Sequence, residues 1–136
     1  MVKKRQILVI GHNTNGCTPE HEKVAYAVGA EIAKSDSVLI TGGLGGVMTA
    51  AAHGAKDAGG LTVGIIPQAD ASEANEYCDI VIPTGMGLTR DFLNALTADG
   101  IVNVNKLSVC AVQSNISIPS NPGYNADIFV LPLAGL

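Results

Sequence analysis

Short apolar runs alternate with segments of helical spacing along this chain, and that alternation restricts its fold more than any other feature. The runs are Gln6–Ile10, Ser37–Thr41, Leu61–Ile66, Asp79–Ile82 and Ile101–Val104. The first of these, short and continuous, reads as a parallel strand buried on both faces, and the others as further short strands. Between the first two, Thr18-Pro19-Glu20 supplies a hydroxyl N-cap, a proline for the first turn and an acid near the positive helix end. Val24, Ala27, Val28 and Ile32 follow at helical spacing. A second helix is expected over 47–58, with Met48, Ala51, Ala55 and Ala58 on one face and Gly59-Gly60 past its end. A third is expected over 88–98, with Leu88, Phe92 and Leu96 on one stripe. Residues 68–77 are polar and read as a loop or short helix. Alternation of this kind is the signature of repeated βαβ units. We therefore expect one α/β domain over 1–136, a three-layer Rossmann-like fold with a mainly parallel sheet.

Composition removes several function classes. The 136 residues carry a formal charge of −4, and Lys3-Lys4-Arg5 is the only cationic cluster. That is too little for a phosphate-backbone footprint, so no nucleic acid partner is expected. No apolar run reaches the ~18 residues of a membrane span, and the first run is too short for a secretory signal. A cytoplasmic protein with no membrane partner is expected. Cys17, Cys78 and Cys110 are widely spaced and odd in number, which suits three reduced thiols and no disulfide or metal framework. No pair of histidines has zinc-ligand spacing; His21 and His53 read as surface or helix–helix contacts. With aromatics at 4% and no Trp, the core must be Val, Ile, Leu and Ala.

Three glycine-containing loops fall where strands end: Gly11–Gly16, Gly42–Gly46 and Gly85–Gly87. Ligands of open α/β sheets bind at that edge. Thr41-Gly42-Gly43-Leu44-Gly45-Gly46-Val47-Met48 joins a strand to a helix. Its glycines bare the main chain, and the helix behind offers free amides and a positive dipole end. A phosphate or pyrophosphate suits such a loop; a tight turn made only for packing is the alternative. The pattern is not G-x-G-x-x-G, no Lys-Ser/Thr follows, and the acid expected ~20 residues on for a nicotinamide ribose is missing. The loop from Pro83 to Asp91 offers Thr84, Gly85, Met86 and Gly87, then Arg90 in a helix's first turn, where the dipole disfavours a cation. Arg90 therefore needs an anion, which is Asp91, Glu73 or a ligand phosphate. The candidate cofactor-binding set is Gly11, His12, Thr41, Gly42, Gly43, Gly45, Gly46, Val47, Met48, Thr84, Gly85, Met86, Gly87 and Arg90. Asn13, Thr14 and Asn15 are turn residues able to face a polar ligand. Glu73, Glu76 and Asp79 read as a solvated acidic loop, and Met48 as core.

Several of these segments together resemble the Rossmann-like superfamily of the LOG phosphoribohydrolases, the molybdenum cofactor carrier proteins and the DprA-like DNA-processing proteins. The resemblance rests on Thr41–Met48, Ala55–Pro67, Ala71-Ser72-Glu73, Asp79–Gly85 and Arg90–Leu96, and it covers about residues 5–104. Arg90-Asp91 followed by Asn94-Ala95-Leu96 is more similar to the carriers than to the hydrolases, which usually have Arg followed by Lys. The resemblance implies that the glycine loop holds the phosphate of molybdopterin, as in the carriers, or of a nucleotide monophosphate, as in the hydrolases. It further implies a homo-oligomer, and any metal would arrive within the cofactor.

The chain departs from the family after Val104. The hydrolases carry Gly-Gly-x-Gly-Thr-x-x-Glu there, whose Glu joins the matching Arg in cleaving the N-glycosidic bond. Here the chain runs Asn105-Lys106-Leu107-Ser108-Val109-Cys110, and no Glu follows Glu76. A binding or carrier role is thus expected, with no catalytic residue; a phosphoribohydrolase and a DNA-processing protein are the alternatives. Residues 105–136 form an atypical tail in which 107–112 and 127–131 each have strand character. Its apolar end suggests a truncated or altered reading frame, or burial in a subunit interface.

Overall fold

The structure, a computed structural model, describes residues 3–105 and 108–111. In chain order it forms β1 (Gln6–Gly11), α1 (Pro19–Lys34), β2 (Val38–Thr41), α2 (Val47–Asp57), β3 (Thr62–Ile66), β4 (Ile80–Pro83), α3 (Arg90–Thr97), β5 (Gly100–Asn105) and β6 (Ser108–Ala111). Single 3-10 turns at Ala71–Glu73 and Gly87–Thr89 precede β4 and α3. The six strands form one sheet in the order β4-β3-β2-β1-β5-β6. The first five are mutually parallel, and β6 runs antiparallel to β5. This is the expected α/β arrangement. The expected strand over 107–112 is β6 in its described part, and 127–131 lies outside the described residues.

Side-chain alternation along the strands separates two faces. Ile7 and Val9 of β1, Leu39 of β2, and Val102 and Val104 of β5 join Ala25, Val28 and Ile32 of α1 and Val47, Ala51, Ala52 and Ala55 of α2 in one buried cluster. Small residues let the two helices touch. A Cβ on Gly29 would run into the carbonyl of Ala51, and one on Gly54 into that of Tyr26. Of the residues expected inside α1, Ala27 is exposed and Ala25 takes its place. The start of α1 is capped as expected by Thr18, whose hydroxyl accepts from the His21 amide. His21 departs from expectation. It is buried, and its Nδ1 accepts from the Thr18 amide at 3.3 Å, taking the role of a capping-box glutamate.

The opposite face is smaller: Leu8, Ile40, Ile65 and Ala98 cluster there, with Val63 and Ile101 beside them. Helix α3 covers this face with its polar side. Arg90 and Asn94 are 8% and 3% exposed, whereas Leu88, Phe92 and Leu96 are 84%, 73% and 64% exposed. The apolar stripe therefore exists as expected but points away from the sheet. The 3-10 turn before α3 also places the helix start at Arg90 rather than Leu88.

The acidic stretch is tied down at one of its three residues. Asp79 takes the Lys56 ammonium at 2.6 Å and the Thr62 amide at 3.0 Å, locking the entry to β4 against β3 and α2. Burial pushes its carboxyl up, but Lys56 and Thr62 outweigh that and hold it below its ordinary value. His53 joins a surface cluster, stacked on Tyr77 and edge-on to Tyr26.

Candidate functional site

The strand order turns back on itself at β1, which has β2 on one side and β5 on the other. A crevice opens at the carboxyl ends of strands at such a point. A cavity of about 510 Å³ lies there, lined by Leu8 to Gly11 of β1, Asn13, Gly42, Leu44, Met48, Pro67, Leu88, Arg90, Asp91, Asn94, Ala95 and Ile101. Its size is in the range of small-molecule sites, ~300–1,000 Å³. Of the candidate cofactor-binding set, Gly11, Gly42, Met48 and Arg90 form its wall, and of the turn residues beside that set Asn13 does. Met48 is thus both buried and a lining residue.

The others stand behind the wall or beside it. Val47 is fully buried in the α1–α2 core. The Thr41 hydroxyl accepts from the Gly43 amide at 3.0 Å, so both serve the turn itself. Gly46 adopts φ 62°, a left-handed conformation, and a Cβ on it would collide with the His12 carbonyl. That carbonyl accepts from the Val47 amide at 3.0 Å, joining the β1–α1 loop to the start of α2. Gly45 lies against Thr14 in the same way. His12 is exposed and 5.5 Å from the His21 ring.

Thr84, Gly85, Met86 and Gly87 do not line the cavity. Their main-chain amides are already used. Thr84 donates to the Ile66 carbonyl, Gly85 to that of Gln68, Gly87 to that of Pro67, and Met86 to the Thr84 hydroxyl. The third glycine loop thus folds onto the end of β3 and offers no free donor.

In the central loop the opposite holds. The amides of Gly43 and Val47 are taken, but those of Leu44, Gly45 and Gly46 have no acceptor among the described hydrogen bonds. The loop's carbonyls are held from below: Asn75 donates its amide to Gly43 O at 2.8 Å and its Nδ2 to Leu44 O at 2.9 Å. The Thr49 hydroxyl also donates to Leu44 O, at 2.6 Å.

Arg90 supplies the positive charge. Its guanidinium lies against the bare backbone of Gly42, where a Cβ would come within 2.7 Å of Nη1. Of the expected anionic partners, Asp91 is the one in contact, through Nη1. Arg90 Nε and Asn94 Oδ1 are buried without a partner among the described residues. Orphaned buried polar atoms are costly, so a donor and an acceptor together on a cavity wall favour a polar ligand. Asn94 and Leu44 were not singled out from sequence. Nothing in an alanine- and leucine-flanked Asn marks it as inward-facing, and Leu44 reads only as a spacer between glycines.

Among the described residues no three His, Cys, Asp or Glu side chains stand close enough to hold a metal ion. Cys78 is half-buried, and burial followed by the Asp79 charge pushes its thiol up to about 11. A thiol held in that form is a poor nucleophile.

Comparison with known proteins places this chain among relatives. Residues 4–111 match the SLOG cluster4 family. An uncharacterised protein of Archaeoglobus fulgidus is 44% identical over 103 residues, covering 76% of this chain and 66% of that protein. The molybdenum cofactor binding protein from the phototrophic bacterium Rippkaea orientalis has a similar structure: TM-score 0.74 and 39% identity, over 77% of this chain and 64% of that one. The Moco carrier protein from Chlamydomonas reinhardtii follows at TM-score 0.70 and 38% identity, over 76% and 63%. This chain thus spans 63% to 66% of the length of these three proteins.

Proposed function

The chain belongs to the SLOG cluster4 family, and from that premise we propose that it binds the molybdenum cofactor by its phosphate and acts as a carrier for it. The observation that carries this reading is a loop whose Leu44, Gly45 and Gly46 amides have no acceptor among the described residues, and which meets the cavity at Gly42 and Leu44 beside the buried Arg90. Amides at the start of α2 attract an anion through the helix dipole, and Arg90 adds a full charge. Gly42 leaves the room that the guanidinium needs. Asn94 Oδ1 offers an acceptor to a ring N–H, and Leu8, Ile10 and Ile101 give the ring an apolar floor. The cofactor brings its own metal when bound; the chain supplies grip and shelter. Similarity to a cofactor binding protein and a cofactor carrier supports the choice of ligand. The outward Leu88, Phe92 and Leu96 support the homo-oligomer in this reading.

One observation favours a second reading, hydrolysis of a nucleoside 5′-monophosphate. Asp91 lines the cavity and touches Arg90, a carboxylate beside the arginine of the kind that reading calls for. Two assays on the purified chain separate the readings. Equilibrium titration with the molybdenum cofactor is expected to saturate at one site per chain. Incubation with AMP is expected to release no adenine; steady release with turnover overturns the carrier reading.

A further inference from the structure

We propose that Asn75, in the connection between β3 and β4, is the positioning residue that holds the glycine loop in its anion-accepting form. The inference rests on the phosphate reading above and deepens it. Asn75 is outside the cavity wall, so it acts through the loop and not on a ligand.

The argument follows from the planar trans peptide. In each peptide unit the C=O of one residue and the N–H of the next point in opposite directions. Asn75 draws the Gly43 carbonyl toward itself with its own amide, at 2.8 Å. The Leu44 N–H must then point away. Asn75 Nδ2 draws the Leu44 carbonyl, at 2.9 Å. The Gly45 N–H must then point away as well. These are two of the three loop amides without an acceptor among the described residues. Gripping two consecutive carbonyls thus presents two consecutive donors on the far side, where Leu44 meets the cavity.

The orientation of the Asn75 side chain is itself fixed. Its Oδ1 accepts from the Tyr77 amide at 3.0 Å, which leaves Nδ2 facing the loop. The Cys78 amide donates to its carbonyl at 3.3 Å. Threonine or serine at this position is too short to span both contacts. Aspartate can accept from Tyr77 but has nothing to donate to Leu44. Thr49 reaches Leu44 O from the helix side, so that carbonyl is gripped twice.

The test uses the whole chain, inorganic phosphate as probe and two readouts followed by NMR. One is phosphate affinity from the shifts of the Leu44, Gly45 and Gly46 amides. The other is hydrogen exchange at the Gly43 amide, which the Thr41 hydroxyl protects. Asn75→Ala, which adds no charge, is expected to weaken phosphate about tenfold, the loss of one charge-assisted contact. It is also expected to speed Gly43 exchange at least as much. Ser72→Ala disturbs the same connection by removing one of the two hydrogen bonds to Asp70 Oδ1 and is expected to change neither readout. If Asn75→Ala does not fold, Asn75→Ser, uncharged and too short to reach Leu44 O, carries the test. Unchanged affinity overturns the proposal. Weakened affinity with unchanged exchange also overturns it, because the loop was then not what Asn75 held. If the unaltered chain shows no saturable phosphate binding, the phosphate reading fails by itself. Exchange then decides the clamp: faster Gly43 exchange upholds it, and unchanged exchange removes it.

Discussion

On one face of the sheet, α1 and α2 close over Ile7, Val9, Leu39, Val102 and Val104 in a cluster built of aliphatic side chains. On the other, α3 turns Arg90 and Asn94 inward and leaves Leu88, Phe92 and Leu96 in solvent. The first face obeys the ordinary rule for an amphipathic helix and holds the fold together. The second inverts it. An inverted helix gains little from apolar burial, so its inward polar atoms need another reason. The cavity at the switch point of the strand order, walled by those same two residues, supplies one under the carrier reading.

This contrast can be broken in several ways. The largest effect is expected from Gly54→Val, which forces a side chain into the backbone of Tyr26 on the aliphatic face. Overpacking against rigid backbone is expected to cost about 3 kcal/mol or more, read from urea denaturation. A loss below about 1 kcal/mol would mean that α1 and α2 are not closely docked. Next is Arg90→Met. It is expected to remove about 2 kcal/mol of affinity for the molybdenum cofactor by calorimetric titration, a charge-assisted contact's worth. Stability should hold or rise, because a buried guanidinium with an unpartnered Nε is gone. A large fall in stability with intact affinity would make Arg90 a structural residue.

Asp79→Asn ranks third, at about 1 kcal/mol of stability for a partly exposed ion pair and its hydrogen bonds. The sign of its pH dependence follows from the lowered carboxyl. The stabilisation is full above the unfolded carboxylate value and is lost as pH falls through the folded one. The variant's acid unfolding should therefore lack that part of the decline. Parallel acid profiles for both chains would show that the Lys56 contact contributes nothing. The smallest effect is expected from Phe92→Ser on the outer stripe: within about 0.5 kcal/mol in chain stability. The mass by light scattering should fall if the stripe joins subunits, and a multi-kcal loss in stability would mean that the stripe is buried within the chain.

The strands were legible because the runs of β1 to β4 are short, aliphatic and closed by glycine or proline, although β4, at the sheet edge, is largely exposed. Periodicity likewise located the stripe on α3, but period alone does not say which side of a helix meets a sheet. That sign depends on Gly42, whose missing side chain admits the Arg90 guanidinium, a contact between residues far apart in sequence. The central glycine loop was legible as bare backbone at a helix start. The Gly85–Gly87 loop has the same composition, yet its amides are spent on the end of β3. Composition does not distinguish a free amide from a satisfied one. Asn75 and Asn94 were illegible for a related reason: asparagine is common in turns, and its long-range partners appear only once the chain is folded.

The central claim is that main-chain amides at the start of α2 grip a phosphate. Its most direct measurement is the affinity of this chain for molybdopterin against molybdopterin stripped of its phosphate. The account predicts at least a tenfold loss, about 1.4 kcal/mol, on removing the phosphate. Equal affinity for the two forms would contradict it.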